Sequence, residues 1–491
     1  MRRILVILLT AAGLVTLGWA YDLPDLGDSS AAVFSSQDER ALGREIMSDI
    51  RSDSAYFDDP ESVDFLNSVG NRLLAVSDDA VGMRFEFFLI QDPTLNAFAM
   101  PGGYVGVHTG LMLAAENESE LASVLAHEIS HVTQHHIARM IEAQEKNMPF
   151  SIAAMAAAIL AARSNPDASM GAILGAQAGM VQSQLNFSRD NEREADRLGI
   201  QRLIKSGYDP RAMMTFFSKL QRFGRFYEGT SPAYLKTHPL TTERLAEIQD
   251  RLVNVPYRQV QDRPDFQLIR ARIAALVGTP REALHYFEGR SLDPKRPEER
   301  PLIYGKAVAL WRSGRLDEAM HTLDTVRAVS QPNALFDSLA ASIVHDQGDY
   351  AKAIDLYQAA LRRYPDQRAL NYGYIGSLLD AHRDQEALAA IDNRLMLTRS
   401  DYHLYNLQAR AYAHEDRQLL SHEALAQSYL LQDNLTAALD QLQIAQRSGG
   451  GDFYENSVVE ARIKDIKKQL AAKGKKGGGS RLSDHLRDHA L

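Results

Sequence analysis

Residues 117–133 read NESELASVLAHEISHVT, and the fold around them follows from how this stretch is read. Asn117, with Glu120 three residues later, is a helix-opening pattern; Leu121, Val124, Leu125, Ile129 and Val132 recur behind it at helical spacing. His127 and His131 stand four residues apart, so both imidazoles project from one face, within reach of a single ion. Glu128 lies one position round, where a carboxylate can take a proton from metal-bound water. Three ionisable groups in an apolar helix are costly to bury unless a metal pairs them. The chain contains no cysteine. That excludes disulfide scaffolds, iron–sulfur clusters, thiolate zinc sites, cysteine nucleophiles and thioether-anchored lipids, so any metal is held by nitrogen and oxygen.

Upstream, Ser36 with Glu39 makes a capping-box pattern before Ala41, Leu42, Ile46 and Ile50, and the segment to about Ala80 reads as helical. Met83 to Ile90 (MRFEFFLI) has the aromatic density of a strand. Asn96–Met100 and Tyr104–His108 read as two more strands, joined by Pro101-Gly102-Gly103. Strands feeding a chemically loaded helix predict an α+β domain. Gly102, Gly103 and Tyr104 are the candidate edge against which an extended substrate could add, although the two glycines could equally serve only as a turn.

Downstream, Met148–Ala162 and Ala168–Val181 are uncharged and alanine-rich. At 15 and 14 residues each is too short to span the roughly 30 Å hydrocarbon layer. The segment 148–181 is therefore either a packed hairpin or a mobile flap over the cleft or against a membrane surface. A metzincin would carry a histidine ten residues after His127, but that position is Ile137. The third ligand must come from elsewhere, and Ser188 to Asp196 (SRDNEREAD) is the best segment. Glu192, Asp196, Gly199 and Leu203 form one helical stripe, whereas Glu194 sits among polar neighbours. Glu192 is the candidate ligand and Asp196 the candidate acceptor orienting a ligand histidine.

From about Phe266 a small or polar turn residue is followed five positions later by alanine: Gly278 and Ala283, Gly314 and Ala319, Gly348 and Ala353, His382 and Ala387. The turn positions are 36, 34 and 34 residues apart, the tetratricopeptide (TPR) period. Asp433 and Ala438 repeat the match 51 residues after His382, which predicts an irregular half-repeat using a helix near Ser421–Leu431. Stacked helix pairs of this kind make a groove for peptides or partner proteins. VNVPYRQVQDRP near Asn254–Arg263 reads as a boundary, and the stretch beyond Ala471 as flexible.

The 491 residues are 45% hydrophobic and 24% charged, with a formal net charge of −9, which argues against a nucleic-acid binder. Arg2 and Arg3, the apolar run Ile4–Leu17, then Gly18-Trp19-Ala20, read as a signal peptide over 1–20. An uncleaved anchor is the alternative; either way the expected address is the periplasm, with a soluble or peripheral chain.

HEISH, then SRDNEREAD, then His238-Pro-Leu-Thr-Thr-Glu-Arg244-Leu, preceded by NAFAMPGGYVGVHTGL over 96–111, resembles the zinc metallopeptidases that include the HtpX and CAAX-processing proteases. The resemblance spans about Glu39 to Gln469. It implies an α+β, gluzincin-like zinc metallopeptidase domain (21–255), followed by an all-α TPR solenoid (262–470) and a tail (471–491). It further implies one Zn2+ per chain, held by His127, His131 and Glu192, with Glu128 as catalytic base. The chain lacks the membrane spans of some members, which speaks against processing lipidated peptides in a bilayer. The implied clients are unfolded or misassembled outer-membrane β-barrel proteins, with chaperone-like assistance and the β-barrel assembly machinery docked at the TPR groove. His238 precedes Pro239 and so favours an extended loop. It is a candidate fourth ligand that latches the site, or a transition-state stabiliser, or a loop histidine of no metal role. The alternative from a different class is a non-catalytic TPR assembly factor with a structural or vestigial metal site.

Overall fold

The computed structural model describes residues 33–143, 188–226, 233–289 and 292–476. The segments 1–20 and 148–181 singled out in the sequence lie outside them.

Helix α1 (Ser36–Ser52) is capped by Ser35 with Asp38, one residue earlier than the Ser36–Glu39 pattern suggests. With the cap at Ser35, Glu39 is left to turn inward, 3.3 Å from His135 Nδ1. Asp59 caps α2 (Pro60–Leu74), accepting from Ser62 N at 3.0 Å. Strand β1 (Glu86–Ile90) starts later than the aromatic run, because Met83 N closes a turn onto Ala80 O. β2 (Ala97–Met100) and β3 (Tyr104–His108) complete a sheet of order β1-β3-β2, with β1 parallel and β2 antiparallel to β3.

That order corrects the expected substrate edge. Tyr104 is on the central strand, opposite Glu86 on one side and Met100 on the other, and Gly103 O accepts from Glu86 N at 3.1 Å. Tyr104 is thus interior to the sheet, while Gly102 and Gly103 form the turn that joins β2 to β3, the other role the sequence allowed them. The outer side of β1 is closed as well, since Asn67 bonds both Phe87 N (3.2 Å) and Phe87 O (2.8 Å). β2 is the outer strand, paired on one side only.

The chain then enters α3 (Thr109–Ala114) and α4 (Glu118–Thr133), the HExxH helix. Asn117 Oδ1 caps α4 by accepting from Glu120 N at 2.9 Å. All of α4 except His131 and Val132 is buried, so this is a central helix rather than a half-exposed one. Helical residues 188–206 form α5, followed by α6 (Arg211–Phe226), α7 (Ala233–Thr237) and α8 (Thr242–Leu252). Gly199 lets α5 lie close against α4: a Cβ there would sit 2.9 Å from Met213 Cε and 3.4 Å from His127 N.

Five helix pairs follow: α9 (Pro264–Leu276) with α10 (Pro280–Phe287), α11 (Arg300–Arg312) with α12 (Leu316–Arg327), α13 (Ala334–Asp346) with α14 (Tyr350–Leu361), α15 (Arg368–Asp380) with α16 (Asp384–Leu397), and α17 (Tyr402–His414) with α18 (Gln418–Leu431). α19 (Leu435–Ser448) and α20 (Phe453–Lys476) close the array. The turn residues are left-handed, with φ 63° at Gly278, 73° at Gly314, 84° at Gly348, 57° at His382, and 59° at both Asp416 and Asp433. Glycine, histidine and aspartate are residues that tolerate this region. Asp416 lies 34 residues after His382, so the 51-residue interval is one full period plus a half, and Ser421 stands where the other repeats have alanine. α20 runs on to Lys476, past the expected start of the tail at 471. Ala471, Ala472 and Lys473 are good helix formers, and lysines near a C-terminus complement the helix dipole.

One apolar core joins the HExxH helix to the repeats. Leu66, Val69, Phe87, Val105, Leu125 and Ile129 belong to the same buried cluster as Phe266, Ile273, Tyr304 and Leu339. Phe65 meets Phe266 with ring centroids 6.0 Å apart. Around it, the start of α2 docks on three helix pairs: Arg272 binds Asp59 (2.7 Å) and Glu61 (2.5 Å), Arg368 binds Asp64 (2.6 Å), and Tyr402 Oη donates to Asp58 (2.6 Å).

Candidate metal centre

α4 presents His127 and His131 on the face that meets α5, and α5 answers with Glu192. The two Nε2 atoms are 3.0 Å apart; His127 Nε2 is 3.4 Å from Glu192 Oε2 and His131 Nε2 is 3.4 Å from Glu192 Oε1. Tetrahedral ligands at about 2.1 Å from a metal stand roughly 3.4 Å from one another. The nitrogen and oxygen donors thus converge with the spacing that one ion demands. Glu128 is fully buried beside them, and among the described residues neither of its oxygens accepts a hydrogen bond, His238 Nε2 standing 3.6 Å from Oε1. A buried, unpartnered carboxylate is unfavourable unless a charge or a water meets it, so these residues fit a metal with its bound water.

Each donor is held from behind. Asp196, one turn beyond Glu192, places Oδ1 3.0 Å from His127 Nδ1. Arg244 on α8 grips Asp196 with two arms, Nε to Oδ2 at 2.8 Å and Nη2 to Oδ1 at 2.9 Å. Its Nη1 also lies 2.8 Å from Glu192 Oε2. His131 is backed by His136, Nδ1 to Nδ1 at 2.8 Å, and His136 by Glu194 at 3.3 Å; Arg139 holds Glu194 at 2.9 Å. Glu194 is therefore not a donor to the centre but the outer end of a chain that ends on one.

The charges are coupled through burial. Burial lowers the His127 pKa, but Asp196 and Glu192 outweigh it and raise it to about 10. Burial also works against the Glu192 carboxylate, yet His238, His127 and His131 hold it well below the usual range. His131, desolvated and crowded by the other imidazoles, is held well below its ordinary value. Burial likewise brings His136 down to about 4.

His238 follows α7 and enters the same pocket. Its Nδ1 lies 2.9 Å from Glu192 Oε1, its Nε2 3.6 Å from Glu128 Oε1, and a ring nitrogen is among the donor atoms of His127, His131 and Glu192 that all lie within 4.8 Å. Tyr234, four residues earlier, stacks on it at 4.7 Å between ring centroids, with a buried hydroxyl that has no hydrogen-bond partner. Burial and the nearby Glu128 and Glu192 raise that phenol well above its ordinary value. The sequence reading did not single out Tyr234, His136 or the role of Arg244. The local signals for them are the His238-to-Arg244 motif and the i,i+4 spacings of Tyr234 with His238 and of Arg244 with Ile248 on the buried face of α8.

Comparison with known proteins agrees with this geometry. Peptidase family M48 matches residues 64–252, and two tetratricopeptide families match 304–368 and 344–411. The beta-barrel assembly-enhancing protease of Escherichia coli (strain K12) is 33% identical over 453 residues, covering 91% of both chains. The protein of the same name from Yersinia pestis is 33% identical over 448 residues, covering 91% of this chain and 92% of that one. The mitochondrial metalloendopeptidase OMA1 of Arabidopsis thaliana is 29% identical over 251 residues, half of this chain (50%) and 48% of its own. With its donor set, its TPR array and this similarity over nearly the whole length, the chain is a metallopeptidase that belongs to family M48 and, within it, to the beta-barrel assembly-enhancing proteases.

Proposed function

We propose that the chain is a periplasmic zinc-dependent endopeptidase that cleaves unfolded or misassembled outer-membrane β-barrel proteins and, through its TPR groove, assists their assembly at the β-barrel assembly machinery. The observation that carries the catalytic half is the convergence of His127, His131 and Glu192 beside an unpartnered, fully buried Glu128. Zinc is the ion that a three-donor N/O site with an adjacent base favours. When bound, it lowers the pKa of a coordinated water to about 7 and polarises the scissile carbonyl. Glu128 takes the proton from the attacking water and hands it to the leaving amine. β2, the one-sided strand, offers an extended segment of a client a ladder to join.

The client class and location rest on the names of the relatives and on the N-terminal leader pattern. Among the described residues no helix is long and apolar enough to cross a membrane. The deciding experiment is Glu128→Gln in the full chain. Zinc content should persist while cleavage of an unfolded β-barrel substrate falls by about 10²–10⁴-fold. Unchanged cleavage, or a purified chain that takes up no zinc, overturns the enzymatic reading in favour of a TPR assembly factor.

A further inference from the structure

The solenoid carries a second cluster of metal-type side chains, far along the chain from the HExxH helix. His382 is the turn residue between α15 and α16, Asp384 begins α16, and His414 ends α17. His414 Nδ1 lies 2.7 Å from Asp384 Oδ1, the rings of His382 and His414 are 5.6 Å apart between centroids, and one donor atom from each of the three lies within 4.8 Å of the others. His382 and His414 are exposed and Asp384 is half-buried, so a cation there keeps open positions for water.

Repeat symmetry makes the cluster specific to this junction. The corresponding residues one period earlier are Gly348, Tyr350 and Asp380, and two periods earlier Gly314, Leu316 and Asp346. One period later they are Asp416, Gln418 and Ser448. Two imidazoles and a carboxylate coincide at only one of these four junctions. His382 also occupies a left-handed turn (φ 57°) where the three preceding repeats use glycine. Asp416 and Asp433 take the same left-handed conformation (φ 59° at both), so the turn accepts histidine and aspartate, and at 382 the residue it carries is an imidazole beside His414 and Asp384.

We propose that His382, Asp384 and His414 form a second metal site that pins the fourth helix pair to the fifth. Two imidazole nitrogens and one carboxylate oxygen select a late first-row divalent cation such as zinc over magnesium or calcium, which prefer all-oxygen shells. The neighbouring Gln385–Glu415 hydrogen bond spans the same two pairs, so the ion would join an existing seam between α16 and α17. None of these residues belongs to the catalytic centre.

The test counts zinc bound by the full chain after equilibrium dialysis, in wild type, His382→Gly and His414→Gln. Glycine suits the left-handed turn, so His382→Gly removes a ligand without straining the fold; circular dichroism checks this in both variants. Each variant should bind one equivalent fewer than wild type, with cleavage of an unfolded substrate unchanged. Added zinc should raise the Tm of the full wild-type chain more than that of His382→Gly. If wild type and His382→Gly bind the same number of equivalents, the proposal fails and His414–Asp384 is a hydrogen-bonded pair only.

Discussion

Asp196 stands behind His127, with its Oδ1 3.0 Å from Nδ1 while Nε2 faces Glu192 and His131. The carboxylate sets which ring nitrogen carries the proton and which is left to bind a metal. Asp196→Asn should weaken metal affinity by about 10–100-fold, read by competition with a chromogenic chelator. Excess zinc should restore most of the cleavage rate. Unaltered affinity would show that Arg244 alone, through Glu192, keeps the donors in place.

His238 reaches the donor cluster rather than remaining in a loop apart from it. If it latches the centre by occupying the water position, His238→Ala keeps its zinc and cleaves an unfolded substrate as fast or faster. If it stabilises the transition state, the same variant loses on the order of 10²-fold or more. A large loss with zinc content intact excludes the latch.

Arg272 is buried between Asp59 and Glu61 at the joint of α2 with the first repeat. Arg272→Ala removes the cation that Asp59 and Glu61 share, leaving Asp59 only its cap bonds to Ser62, and should lower unfolding stability by about 3–5 kcal/mol in urea titrations. Adding Asp59→Asn and Glu61→Gln should recover part of that loss, because the stranded charges are then gone. A single-variant loss below about 1 kcal/mol would mean that water reaches the joint.

Docking of α17 on α2 should be acid-sensitive. Burial pushes the Asp58 carboxyl up, but the hydrogen bonds from His403 and Tyr402 hold it below its ordinary 3.8. A depressed carboxylate contributes stability that is complete above its unfolded value, about 3.9, and is lost as pH falls through the lower folded value. With no native cysteine to interfere, dyes on Ser54→Cys and Met396→Cys can report the separation. It should be constant from pH 7 to 5 and increase below pH 4, and Asp58→Asn should abolish the step. A step that persists in Asp58→Asn assigns it to another group.

The local parts of this design were legible in the sequence. The Asn117 cap, the His127–His131 face and the Glu192–Asp196 stripe are short-range periodicities, and the structure places each on a helix. The long-range parts were not. Arg244 finds Asp196 across 48 residues and His136 finds Glu194 across 58, contacts that depend on how α5 stacks against α8 and against the helical residues 136–143 that follow α4. Strand order was hidden for a related reason: β3 pairs parallel with β1 by skipping β2, and the interior position of Tyr104 follows from that crossover alone. The fifth helix pair escaped because Ser421 replaces the alanine that marks its neighbours.

The apolar cluster that continues from Ile129 through Phe266 to Leu339 has a practical corollary for anyone dissecting the molecule. Severing the chain in the coil near Val255–Arg263 would expose Phe65 on one fragment and Phe266 on the other. Neither half would be a faithful stand-in for its share of the whole, and each would gain a sticky surface that the intact chain lacks. The metallopeptidase region and the first helix pairs thus share one buried core, which continues from the HExxH helix into the repeats.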